Sequence, residues 1–124
     1  QNGKILPIEQ AGVPYSNIEF EYGFGVYETI RISNGLIFFL KDHIERLIES
    51  AKIIGLSHQF EISFIENSIF DLVKHNESDT YNLKILLIGA SKKEKASLNI
   101  LCLSPLFLDK KLYRDGAEII TYNF

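Results

Sequence analysis

The stretch that decides the fold is Val26-Tyr27-Glu28-Thr29-Ile30-Arg31-Ile32-Ser33-Asn34-Gly35-Leu36-Ile37-Phe38-Phe39. Val26 to Ser33 is rich in β-branched and aromatic residues, which suit a pleated, half-buried surface. Asn34-Gly35 follows. A two-residue hairpin turn needs positive φ at its central positions, and Asn and Gly tolerate it best. We therefore expect a hairpin whose second strand is Leu36 to Phe39. Side chains alternate along a strand, so Tyr27, Thr29 and Arg31 share one side while Val26, Glu28 and Ile30 share the other.

Downstream the hydrophobic period lengthens. Asp42, with Glu45 three residues on, has the spacing of a capping box. Ile44, Leu47, Ile48, Ala51 and Ile54 then fall on one helical face, and Gly55 stands where a helix-ending glycine belongs. A second helix is expected from Ile62 to His75, with Ile62, Ile65, Ile69, Leu72 and Val73 as its stripe and Asn76 as its cap. Strands follow at Tyr81 to Ile88 and Leu98 to Leu103, separated by the charged Ser91 to Lys95. Pro105 breaks the second, and a last strand is expected over Ala117 to Tyr122. Upstream, Asn2-Gly3-Lys4 reads as a tight turn, and Gln10 to Phe20 as irregular, with Gly12, Pro14, Ser16 and Asn17 as breakers. This order implies an α+β domain with a mostly antiparallel sheet and two adjacent helices.

Composition narrows the class. A chain of 124 residues, 46% hydrophobic and 23% charged, fits one globular domain rather than a disordered segment. A net charge of −3 without a basic stripe argues against a nucleic-acid partner. The apolar runs are too short to span a bilayer. One cysteine, Cys102, permits no internal disulfide and suits a reducing compartment, so a cytoplasmic location is expected. No histidine pair has metal-ligand spacing, and no metal is expected. The chain opens at Gln1, contains no methionine and stops after a strand-like run, so we expect a piece of a longer polypeptide.

One combination of motifs is specific. Tyr22-Gly23-Phe24-Gly25-Val26-Tyr27-Glu28-Thr29-Ile30-Arg31, then Asn34-Gly35, His43-Ile44-Glu45-Arg46-Leu47 and Ser50-Ala51, resembles the opening of class IV (fold-type IV) aminotransferases. That family includes branched-chain and D-amino-acid aminotransferases and aminodeoxychorismate lyase. Asn2-Gly3, the run near Ala11, Lys84 to Gly89 and Gly116 to Thr121 are also similar, so the resemblance covers nearly the whole chain. It implies that residues 1–124 are the smaller N-terminal domain of a two-domain enzyme dependent on pyridoxal 5′-phosphate (PLP). The Schiff-base lysine would lie on the second domain, beyond Phe124, so no catalytic residue is expected in this chain and the chain alone should not transaminate.

By the same resemblance, Arg46 binds the cofactor phosphate. A guanidinium is always charged and offers a planar fork of donors suited to phosphate oxygens. Its flanks, Ile44, Leu47 and Ile48, suggest a buried position. The plainer reading is a surface arginine paired along its helix with Asp42 or Ser50. Tyr22 and Tyr27 would line the substrate pocket, though core packing serves each equally well. Arg31 would meet a substrate carboxylate or stand solvated at its strand end. Lys84 lies where some relatives carry an arginine facing that carboxylate. The family often has Asp or Thr at the position of Phe24, a departure that bears on substrate preference or packing. Gly23-Phe24-Gly25 is not a phosphate loop: it lacks a third glycine and leads into a strand. His43 reads as a capping or packing residue.

The implied reaction is amino transfer between an amino acid and a 2-oxo acid, by a homodimer with Gln10 to Phe20 near the interface. Two alternatives stay open: an aminodeoxychorismate lyase on the same scaffold, and a non-catalytic stand-alone or degenerate module.

Overall fold

The computed structural model describes residues 1–13, 22–90, 95–105 and 108–122. Most of the expected charged loop at 91–95 and most of the irregular 10–20 segment lie outside the described residues. Four strands form one antiparallel sheet: β1 (Gly25–Ser33), β2 (Leu36–Ile37), β3 (Tyr81–Ile88) and β4 (Ser97–Leu103), in the order β2-β1-β3-β4. Helices α1 (Leu40–Ile53) and α2 (Ile62–His75) connect β2 to β3 and pack against one side of the sheet. The expected α+β architecture is the one found.

The hairpin forms as the Asn-Gly pair dictates. Asn34 and Gly35 take φ of 51° and 74°, and the register sets Ser33 opposite Leu36. The second strand is shorter than expected. Phe39 turns left-handed at φ 51°, β2 ends at Ile37, and the helix begins at Leu40, which packs on the core. Asp42 therefore sits inside the first turn, and no capping box forms; Phe39 occupies the N-cap position without a side-chain hydrogen bond. At the other end Gly55 does what its position suggests. With φ 72° it lets Leu56 N–H reach Ala51 O at 2.8 Å and its own N–H reach Lys52 O at 3.1 Å, a complete Schellman motif.

Alternation along β1 sorts its residues. Ile30 and Ile32 are fully buried beneath the helices, as are Leu83, Ile85 and Leu87 on β3. Ile44, Leu47 and Ala51 from α1 and Ile65 and Ile69 from α2 complete the core. Tyr27, Thr29 and Arg31 stand exposed on the other face. At the amino end Asn2 and Gly3 form a second tight turn, with φ of 51° and 79° and reciprocal hydrogen bonds between Gln1 and Lys4.

One expected element is absent. Residues 117–122 form no strand, and a short helix, α3 (Lys110–Asp115), precedes them, its first turn capped by the Asp109 carboxylate. Ile119 is 83% exposed. β-Branched composition alone does not make a strand; the backbone also needs a neighbouring strand to bond, and none of the described residues supplies one.

Candidate active site

Position 28 interrupts the apolar row of β1, between Val26, which packs against the core, and the fully buried Ile30. Glu28 occupies a core-facing position yet carries a charge, and a buried carboxylate requires partners. Helix α1 supplies two. His43 and Arg46 are three residues apart and so project side by side. Arg46 donates from Nε to Glu28 Oε1 at 2.6 Å and from Nη2 to Oε2 at 2.5 Å, a bidentate fork. His43 Nδ1 lies 2.8 Å from the same Oε2. That distance to a carboxylate oxygen places the imidazole proton on Nδ1, donated to Glu28. The 3.1 Å approach of Arg46 Nη2 to His43 Nδ1 is then two donors sharing one acceptor.

The fork holds the Glu28 carboxyl below the usual carboxylate range, burial pushing the other way, with His43 assisting. The same carboxylate raises Arg46 above its already high ordinary value, chiefly through their hydrogen bonds. Both groups are therefore ionised at neutral pH.

Arg46 is not buried as its apolar flanks suggested: its side chain is 61% exposed, and the burial belongs to Glu28. Nor does it pair along its own helix. Held by Nε and Nη2, it keeps Nη1 without a hydrogen-bond partner among the described residues. An ionised, oriented guanidinium with one open end is a donor set that fits a phosphate oxygen.

The expected substrate residues divide. Tyr27, Arg31 and Lys84 share the face of the sheet opposite the helices. Lys84 Nζ lies 5.1 Å from the centroid of the Tyr27 ring, a cation–π contact across paired strands. Tyr22 is 80% exposed and lies outside this group. Arg46 and Glu28 stand on the helix side, so the structure brings Arg46 and the substrate residues to the same stretch of β1 but not to one surface.

A shallow cavity of about 160 Å³ at the start of β1 is lined by Gly23 to Tyr27 and Leu86 to Ile88. Phe24 packs its ring where a side chain at Gly89 would stand, and its carbonyl accepts the Gly89 N–H at 3.0 Å, so its departure from the family pattern has a packing role here. A larger cavity of about 350 Å³ follows the outer side of β4 and contains none of the expected site residues. Its size is no guide to chemistry: it holds neither Arg46 nor any of the sheet residues just named. Among the described residues, no group of three or more His, Cys, Asp or Glu side chains is placed to hold a metal ion. No helix among them is long and apolar enough to cross a membrane.

Glu28 and His43 are the residues that reading the sequence passed over as parts of a site. A signal existed: a carboxylate in the buried row of a strand demands a cation, and the helix that follows offers two candidates three residues apart, His43 and Arg46.

The chain has relatives among known aminotransferases. The chain is similar to the D-alanine aminotransferase of Bacillus licheniformis, 36% identical over 76 residues, which cover 61% of this chain and 27% of that relative. In solved structures it is similar to the branched-chain aminotransferase of Thermoproteus uzoniensis with norvaline, at 29% identity and TM-score 0.75, covering 83% of this chain and 39% of that one. It is also similar to a T.th. branched-chain amino acid aminotransferase complexed with N-(5′-phosphopyridoxyl)-L-glutamate, at 25% identity and TM-score 0.75 over the same shares of the two chains. The chain thus spans about a quarter of the length of the curated relative and under half of the structural ones. Residues 25–123 match the family described as Amino-transferase class IV, and the chain belongs to that family.

Proposed function

We propose that the full-length protein transfers an amino group between an amino acid and a 2-oxo acid using PLP, with residues 1–124 as the smaller of two domains. The observation that carries this reading, beyond family membership, is the Arg46 guanidinium, fixed by Glu28 with Nη1 left open among the described residues. Arg46 binds the cofactor phosphate. Glu28 orients it, and burial of the Glu28 carboxylate keeps that orientation from being lost to water. Once bound, PLP supplies an electron sink for the charge left when the substrate α-proton is removed.

Tyr27, Arg31 and Lys84 form one wall of the substrate pocket. Arg31 and Lys84 offer positive charge to a substrate carboxylate, and Tyr27 offers an apolar face with a hydroxyl at its edge. Tyr22, 80% exposed, also lines that pocket, a role that rests on the family resemblance. The Schiff-base lysine lies on the second domain. The protein works as a homodimer in the cytoplasm, a compartment its single unpaired Cys102 suits.

The test uses the full-length enzyme. Arg46→Ala should weaken PLP binding about 10- to 100-fold, the loss expected of a charged hydrogen bond, read by titrating apoenzyme with PLP and following cofactor absorbance. Unchanged PLP affinity would remove Arg46 from the site.

A further inference from the structure

The residues assigned to the site by the proposed function stand on opposite faces of the sheet. Arg46 is held at Glu28 on the helix side, while Tyr27, Arg31 and Lys84 stand on the other. Two faces of a sheet meet only at its borders. β3 and β4 extend the sheet on one side of β1. On the other side β2 pairs only with Ile32 and Ser33, so among the described residues the first part of β1 is itself the border. A ligand that reaches both groups crosses there.

The hydrogen-bond phase of β1 fixes what that border offers. In an antiparallel ladder a residue sends its N–H and C=O the same way, and successive residues alternate. Phe38 N–H donates to Arg31 O at 3.1 Å, so the odd-numbered residues point to the β2 side. Gly89 N–H donates to Phe24 O at 3.0 Å, so the even-numbered ones point to β3. Phe39 then turns the chain into α1, and no described backbone group pairs with Tyr27 or Thr29 on the β2 side. Their N–H and C=O groups are open there.

Thr29 is the best placed of the two. It is exposed and has the smallest side chain of the outer row, so it covers its own backbone least. Lys84 is its cross-strand partner on β3 and leans towards β1, its Nζ 5.1 Å from the Tyr27 ring centroid. Arg31 follows two residues on. No described carboxylate forms a salt bridge with either cation. A backbone donor beside two such cations fits a carboxylate, because a hydrogen bond to an ionised acceptor is the strong kind.

We propose that the open border of β1 binds the carboxylate of the amino acid or 2-oxo acid: the Thr29 main-chain N–H donates to one of its oxygens, and Arg31 and Lys84 supply the charge. This rests on the proposed phosphate residue and substrate wall. It adds a backbone donor that no side-chain motif reveals, and it seats the substrate at the margin of the sheet rather than on its face.

Pentanoate is the probe, since it carries the carboxylate and has no amine to react. Amide hydrogen exchange of the PLP-loaded full-length protein is followed with and without it. The Thr29 amide should slow at least about tenfold on binding, while that of Ile30, committed to β3, stays slow throughout. Proline is tolerated in an edge strand where its missing N–H faces away from the ladder. Thr29→Pro is therefore compared with Thr29→Ala, which shares the loss of the hydroxyl. The proline variant should bind pentanoate about 10- to 100-fold more weakly than the alanine variant, with equal PLP affinity in the two. Pentanoate that binds without slowing the Thr29 amide, or that binds both variants alike, would overturn the role of the border and leave the Arg46 reading standing. A loss of PLP affinity in Thr29→Pro alone would give the border to the cofactor and overturn the carboxylate assignment. Wild-type pentanoate affinity in a variant carrying both Arg31→Gln and Lys84→Met would remove the substrate wall and this inference with it. The exchange measurement on the wild type keeps the test decisive if Thr29→Pro folds poorly.

Discussion

Strand β1 presents two faces with different obligations, one residue apart. Glu28, Ile30 and Ile32 look toward the helices and are buried. Tyr27, Thr29 and Arg31 look the other way and are exposed. The first row holds the domain together and, at its end, anchors Arg46. The second row contributes little to folding and is free to vary with whatever it touches. On the proposed reading the contrast lets one strand brace Arg46 through Glu28 on one face and offer the proposed substrate wall on the other: the period of two assigns them to opposite sides without any further device.

The strongest way to break this contrast is to truncate neighbours. Ile30→Ala should cost about 2–5 kcal/mol, the usual loss for emptying a fully buried aliphatic site. Thr29→Ala next to it should stay within about 0.5 kcal/mol. Chemical denaturation of the two variants decides it; equal losses would mean the exposed face is packed as tightly as the core. Next in size is Gly25→Ala at the start of the strand. A Cβ there would sit 2.8 Å from the Leu87 carbonyl oxygen, a backbone atom in the paired strand. The strands must separate to admit it, so a loss of about 1–3 kcal/mol is expected, and a variant as stable as the wild type would show that the close approach at Gly25 is not required.

Much of this was legible in the sequence because it depends on local rules. Asn34-Gly35 fixed the hairpin, the period of α1 and α2 fixed the apolar stripes, and Gly55 closed α1 through a motif that uses only its own neighbours. The errors arose where a tertiary partner decides. Residues 117–122 have strand composition but, among the described residues, no strand beside them. Helix α1 starts at Leu40 rather than Asp42 because the core recruits Leu40. The site follows the same division. Arg46 was visible as a motif, but its partner Glu28 lies 18 residues away on a different element, and no spacing rule links a strand position to a helix position. What was available was the anomaly of a carboxylate in a buried row.

Glu28→Gln sharpens the comparison at the rim of the buried face. The folded-state pKa of Glu28 lies below its unfolded value. Its contribution is therefore present above the unfolded pKa, about 4.3, and is lost as pH falls through the lower folded value. The glutamine variant should lack that part of the acid-side loss and show a flatter stability profile below about pH 4. At neutral pH its melting temperature should drop on the order of 4 °C, a modest change because Arg46 is largely exposed and its pairing is screened. Identical acid profiles for the two proteins would mean that the Glu28 fork forms too weakly to shift its titration.

The smallest effect belongs to the exposed face. Lys84 lies over the Tyr27 ring at 5.1 Å in a setting open to water. At such sites a cation–π contact contributes about 0.5–1 kcal/mol, so the double-mutant cycle of Tyr27→Leu and Lys84→Met should return a coupling of about 0.5 kcal/mol. Neither single variant should approach the cost of Ile30→Ala. In the full-length enzyme the same substitutions should act where the chain alone is indifferent, raising KM for the amino acid while leaving PLP affinity near that of the wild type. A coupling several times larger would mean that Tyr27 and Lys84 are a folding contact, and the two faces would then differ in polarity but not in purpose. A KM unchanged in both variants would separate the exposed face from the substrate and leave the Glu28–Arg46 pair as the one proposed part of this chain in the chemistry.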